Sequence, residues 1–245
     1  GPTNRTLSIS PDVSDPAKRD LTYDELFNDY CEQIDGLIEG GADAILIETI
    51  FDTLNAKAAI DAAMSENRRH GTDLPIMVSV SVNDLAGRTL SGQTLEAFLA
   101  SISSYPIFSV GLNCSFGALQ LKPYVKELGE KAPYYISVYP NAGLPNELGL
   151  YDETADSMAP EIAEFIDEGL VNIVGGCCGT TDEFIARFAE LAEGKKPHAV
   201  AKPYDHMLLS GLELHEVVDS ASEQVATFNN VGERCNVAGS RKFLR

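Results

Sequence analysis

Five short apolar runs, at 44–47, 76–80, 108–112, 135–138 and 171–174, punctuate the first three quarters of the chain. They are rich in Ile and Val and continuous rather than alternating, as in strands buried on both faces of a parallel sheet. Their centres lie about 25 to 37 residues apart, the length of one strand–helix unit. The stretches between them carry helical periodicity with legible start signals. Thr22-x-x-Glu25 and Thr180-x-x-Glu183 both fit the capping box. The first predicts a helix through Leu26, Tyr30, Ile34 and Leu37, stopped at Gly40-Gly41. Further helices are predicted over 53–69, 94–103, 118–128, 157–168 and 182–192, with Pro160 tolerated only in a first turn. Alternating units of this kind build either a (β/α)8 barrel or an open doubly wound sheet. No Gly-x-Gly-x-x-Gly loop favours the second.

After Gly194 the pattern changes. Residues 195–212 lack periodicity and contain two prolines, which predicts a linker, and 226–231 reads as a strand opening a new unit. The expected organisation is therefore 1–194 as one domain, 195–225 as linker and 226–245 as the start of a new unit. The chain opens at Gly1-Pro2-Thr3-Asn4 with no strand or helix entry, so it is expected to be a piece of something longer.

Charge narrows the partners. The 245 residues carry 18 Lys+Arg against 37 Asp+Glu, a formal net charge of −19. Nucleic-acid backbones and anionic membranes both need clustered cations, so neither is an expected partner. No apolar run approaches the roughly 18 residues of a spanning helix, and no signal-type segment opens the chain. Five cysteines do not read as a disulfide framework, and the expected compartment is a reducing cytoplasm.

Three of those cysteines carry the strongest chemical signal. Cys114 follows one strand pattern directly, in Gly111-Leu112-Asn113-Cys114. About 63 residues later Cys177-Cys178 follows another, in Gly175-Gly176-Cys177-Cys178-Gly179. In a parallel barrel all strand C-termini open on one face, so the two sites should meet there. Three thiolates leave a tetrahedral Zn2+ one exchangeable position, the pattern of a catalytic site. A helix opening at Thr180 is expected to aim its positive end at the thiolates and lower their pKa. Cys31 reads as an ordinary buried cysteine, and His70, His198, His206 and His215 as surface residues.

Two further strand ends are candidates. In Ile47-Glu48-Thr49-Ile50-Phe51-Asp52-Thr53, Glu48 could hold a substrate ammonium group, whereas Asp52 reads as a helix cap. In Tyr139-Pro140-Asn141-Ala142-Gly143, Asn141 is either an oxygen ligand to the metal or only a turn residue. Asn83–Thr89 could line the same mouth, and a turn explains it equally well.

Taken together, Gly-Leu-Asn-Cys at 111–114 and Gly-Gly-Cys-Cys-Gly-Thr-Thr at 175–181 resemble the homocysteine-binding, zinc-dependent methyltransferase barrel. The likeness extends through 47–53, 91–94 and 140–146; with 1–6 it is specifically to the cobalamin-dependent methionine synthases, which implies a (β/α)8 barrel here lacking its first strands. Asn230 to Ser240 resembles the opening of the pterin-binding barrel that follows in those enzymes, with Cys235 where that pattern usually has Thr. The resemblance implies methyl transfer to homocysteine, with Zn2+ on Cys114, Cys177 and Cys178, the amino acid part held by Glu48, and a pterin contact from Asn236. It also implies cobalamin and methyltetrahydrofolate as partners, on modules of the same parent chain, and a piece that is inactive alone. Two alternatives remain open at this point: a betaine- or S-methylmethionine-type methyltransferase without cobalamin, and a zinc-buffering or thiol redox module.

Overall fold

The computed structural model describes residues 3–217. The expected strand at 226–231 and Asn236 lie outside them. Five parallel strands, β1 (Ile45–Ile50), β2 (Ile76–Val80), β3 (Ser109–Asn113), β4 (Tyr135–Tyr139) and β5 (Ile173–Val174), form one sheet in the order of the chain. The helices are α1 (Tyr23–Glu39), α2 (Thr53–His70), α3 (Leu95–Ile102), α4 (Ala118–Lys131), α5 (Ala155–Asp167) and α6 (Asp182–Ala192). A doubly wound sheet reverses its strand order partway and places helices on both faces. Here each strand pairs with its predecessor throughout, and α2 to α5 pack with the strands into one apolar cluster. The architecture is an α/β arc consistent with part of a (β/α)8 barrel.

Strand alternation decides which side chains reach the inner face. Ile45, Ile47, Val78, Val80, Val110, Leu112, Ile136 and Val138 are buried in the apolar cluster with the helices. The alternate positions, Glu48, Ser79, Gly111, Asn113, Ser137 and Tyr139, therefore face the concave side. Register places Ser79 beside Gly111, Gly111 beside Ser137, and Asn113 beside Tyr139. The inner face is polar toward the strand C-termini because these few positions depart from the apolar runs.

Helix entries follow local chemistry. Thr22 and Glu25 form the expected capping box at α1. Asp52 caps α2, its carboxylate accepting the Leu54 and Asn55 N–H groups. That buried carboxylate also accepts the Ser8 N–H and hydroxyl, tying residues 6–8 to the start of α2. The second expected capping box is not formed. Helix α6 starts at Asp182 with Thr181 as its cap residue, and the Thr180 hydroxyl instead donates to the Cys177 carbonyl. Pro160 also departs from expectation. The box of Thr154 and Ser157 starts α5 early enough to put the proline in the second turn. Pro123 takes the same position in α4.

Among the described residues of the expected linker, a hairpin forms. Residues Met207–Ser210 (β6) and Leu214–Val217 (β7) form an antiparallel hairpin. It docks on α3: the Ser210 hydroxyl donates to the Ala97 carbonyl at 2.6 Å, and Thr94 N–H donates to the Leu212 carbonyl at 3.0 Å. Gln93 adds a bond to the Gly211 carbonyl, and Arg88 pairs with Glu213. Four-residue strands give too short an alternation to read from sequence. His198, expected at the surface, is half-buried. Its ring nitrogens meet the Gly169 and Gly129 carbonyls at 2.7 and 3.1 Å, pinning the chain after α6 to the sheet's lower end.

Candidate metal centre

The C-terminal end of β3 leads directly into Cys114, and the loop after β5 carries Cys177 and Cys178. The backbone clamps both segments together. Cys114 N–H donates to the Tyr139 carbonyl, Cys177 N–H to the Pro140 carbonyl, and Ala142 N–H to the Cys178 carbonyl. The Sγ atoms of Cys114 and Cys178 are 3.7 Å apart, those of Cys177 and Cys178 are 3.9 Å apart, and all three lie within 4.8 Å of one another. Tetrahedral ligands at a Zn–S distance of about 2.3 Å stand about 3.8 Å apart. Two of the three sulfur separations match that spacing, and the third lies within 4.8 Å, so the cluster could hold zinc.

Close packing enforces this geometry. A Cβ on Gly175 would lie 2.6 Å from the Tyr139 ring, and one on Gly176 would lie 2.3 Å from the Thr180 hydroxyl. Gly179 adopts φ 82° beneath Tyr151, the one position in the loop where left-handed backbone demands glycine. Cys114 and Ser115, both at φ 62°, hold a left-handed turn without glycine. Strain of this sort persists only where the surroundings over-determine it, and it concentrates at functional sites.

Burial pushes the Cys114 thiol up, with Cys178 adding to it, and pushes the Cys177 thiol up to about 12, with Cys114 and Cys178 adding to it. The expected lowering by α6 is not realised at Cys114 or Cys177, where burial is the largest cause and raises both. A cation must therefore displace protons from both sulfurs. Metal uptake at pH 7 should release at least the Cys114 and Cys177 protons. Apparent affinity should rise with pH across the neutral range, because the protonated form predominates below both raised values. A pH-stat titration with Zn2+ measures both; uptake with no acid released would refute it.

Asn141 is 2 % exposed, and its side-chain oxygen accepts the Cys178 N–H at 3.1 Å. It braces the double-cysteine loop while keeping a second lone pair. Glu48 stands on the inner face, half-buried, close enough to Tyr139 for its charge to add to the burial that raises the tyrosine. The loop 83–89 is a turn, in which the Asp84 carboxylate accepts the Ala86 and Arg88 N–H groups. Sequence reasoning passed over Asn113, Thr49 and Tyr151. Their signal was only adjacency to motif residues, and their partners are remote in the chain. Tyr151 packs on Gly179 and is raised by burial and by hydrogen bonding with Cys178.

A model of the homocysteine S-methyltransferase family matches residues 1–192. The chain belongs to the homocysteine S-methyltransferase family. Among solved structures, it resembles the homocysteine methyltransferase MmuM from Escherichia coli in its apo form, with TM-score 0.53 and 19 % identity over 70 % of this chain. The metallated form matches with TM-score 0.52, again at 19 % identity over 70 % of this chain. At that identity the likeness speaks for the fold. The chain spans 57 % and 52 % of the length of those two, just over half.

A second group of possible ligands, Asp35, Glu66 and His70, also lies within 4.8 Å. Arg69 already pairs with both carboxylates, and His70 bonds Asp35 at 2.7 Å. This family member uses that group to clasp α1 to α2. Among the described residues, no helix is long and apolar enough to cross a membrane.

Proposed function

We propose that this chain is the homocysteine-binding part of a methionine-forming methyltransferase, with Zn2+ held by Cys114, Cys177 and Cys178. The cluster of three sulfurs, two of its separations at the spacing of a tetrahedral zinc site, carries this reading. Bound there, zinc supplies Lewis acidity that deprotonates a coordinating thiol outright and leaves it nucleophilic near neutral pH. The chain's own residues bind and orient. The Glu48 carboxylate on the inner face receives the substrate ammonium, and burial beside Tyr139 strengthens that attraction by excluding water. Asn141 keeps Cys178 in place through its backbone N–H, and its free lone pair or water completes the resting site. The homocysteine sulfur accepts the methyl group, and methionine leaves.

The donor in this reading is methylcobalamin, recharged from methyltetrahydrofolate on further modules of a longer parent chain in the cytoplasm. Its support is the likeness of the 1–6 and 230–240 segments to cobalamin-dependent methionine synthases, with Asn236 as the pterin contact and 226–245 as the start of a pterin-binding domain. The remaining strands of a closed barrel belong to the same proposal.

Calorimetric titration of homocysteine into the zinc-loaded chain, in two buffers of different ionisation enthalpy, tests the substrate. The expected result is one proton released per homocysteine bound, and at least tenfold weaker binding in Glu48→Gln, the cost of a lost buried charge pair. Binding without proton release would overturn the thiolate mechanism.

A further inference from the structure

Asn113 is 1 % exposed and uses its full hydrogen-bonding capacity. Its side-chain oxygen accepts the Thr49 N–H at 2.9 Å and the Ser79 hydroxyl at 2.7 Å. Its side-chain nitrogen donates to the Thr49 hydroxyl at 2.8 Å and to Cys177 Sγ at 3.7 Å. An asparagine amide has two lone pairs and two protons, so nothing is left over. The two ends of this network are unlike. One is a ligand sulfur after β5. The other is a β-branched residue at φ 56° inside β1, where the pairing of β1 with β2 is also irregular, beside Glu48. Threonine at positive φ is a genuine outlier, and both polar groups of Thr49 bond the same amide.

We propose that Asn113 is a positioning residue that ties the Cys177 sulfur to the Glu48–Thr49 strand end, setting the metal ligand and the substrate-binding carboxylate in one frame. This rests on the zinc and Glu48 reading above. The N–H···S bond aims the sulfur and withdraws electron density from it, as partners behind metal ligands do. The bonds to Thr49 hold the left-handed turn that Glu48 enters. A substitution at Thr49, which touches no ligand, should therefore be felt at the metal.

The test loads the full chain with cadmium-113 alone and reads scalar coupling between that nucleus and amide protons. In the wild-type chain the Asn113 side-chain amide should correlate with the metal through Cys177 Sγ. Asn113→Asp keeps the size and removes the donor; the correlation should vanish and transfer of metal to a chelator should speed up about tenfold or more. Thr49→Val should weaken the correlation and shift the cadmium resonance, and Thr49→Ser, which keeps the hydroxyl, should restore both. Should Asn113→Asp fail to fold, the wild-type spectrum and the Thr49 pair decide. A cadmium resonance typical of three thiolates, with no correlation to Asn113, overturns the inference and leaves the metal site standing. A chain that takes up no cadmium overturns both.

Discussion

Replacing Cys114, Cys177 or Cys178 with serine is expected to cost zinc retention by about a hundredfold or more, since even partners behind a ligand typically cost ten- to a hundredfold. Each loss leaves two sulfurs and an exposed fourth quadrant, short of the three protein ligands a catalytic zinc site needs. Cys31→Ser is the control. Cys31 sits on α1, its thiol pushed up to about 11 by burial and by Glu66, far from the strand ends in the chain's course. It should retain wild-type metal. Metal content after dialysis against a weak chelator, measured per folded protein, separates the cases. Equal content in all four variants would sink the assignment. Full retention in Cys178→Ser alone would show a site of two sulfurs completed by other ligands.

The second large effect lies on the inner face, one inward-facing pair below Asn113 and Tyr139. Gly111 faces Ser137 across β3 and β4, and a Cβ there would sit 2.0 Å from the Ser137 carbonyl oxygen and 2.1 Å from its hydroxyl. The obstacle is backbone in a central strand, which cannot swing away. Gly111→Ala should therefore destabilise by about 3 kcal/mol or more, the upper range for overpacking. For a chain of this size that lowers the melting temperature by roughly 6 to 12 °C. Gly36→Ala in α1 gives the opposite sign. A Cβ at Gly36 meets nothing within 4 Å, and alanine in a helix interior should stabilise by about 0.5 to 1 kcal/mol. Thermal melts of the two variants against wild type measure both. A Gly111→Ala chain that melts with wild type would mean that β3 and β4 are spaced more loosely than described.

How much of this was legible in advance differs by element. All five sheet strands lie within a few residues of their apolar runs, because the residues that pack beneath the helices must be apolar. Helix α1 was readable to its ends, since Thr22, Glu25 and Gly40 act within one turn of the backbone they cap. Helix α6 was not. Thr180 and Glu183 match the capping pattern, but the Thr180 hydroxyl is claimed by the Cys177 carbonyl, a demand set by the tight cysteine loop. The hairpin at 207–217 was missed for a related reason. Its stability comes from docking on α3 through Ser210, Gln93 and Thr94, more than 100 residues away in the chain.

By itself the sequence determined the strand–helix units and the family, and it put three cysteines at strand ends, because these depend on local periodicity and on residue types at short spacing. Only the tertiary structure decided between an open doubly wound sheet and a singly wound arc, since strand order is a property of pairing. It also decided the direction of the Cys114 and Cys177 shifts, because their largest cause is burial, which only the fold creates. The role of Asn113 belongs there too. Its four hydrogen bonds run to Thr49, Ser79 and Cys177 on three different segments, and no local pattern records partners that only folding brings within reach.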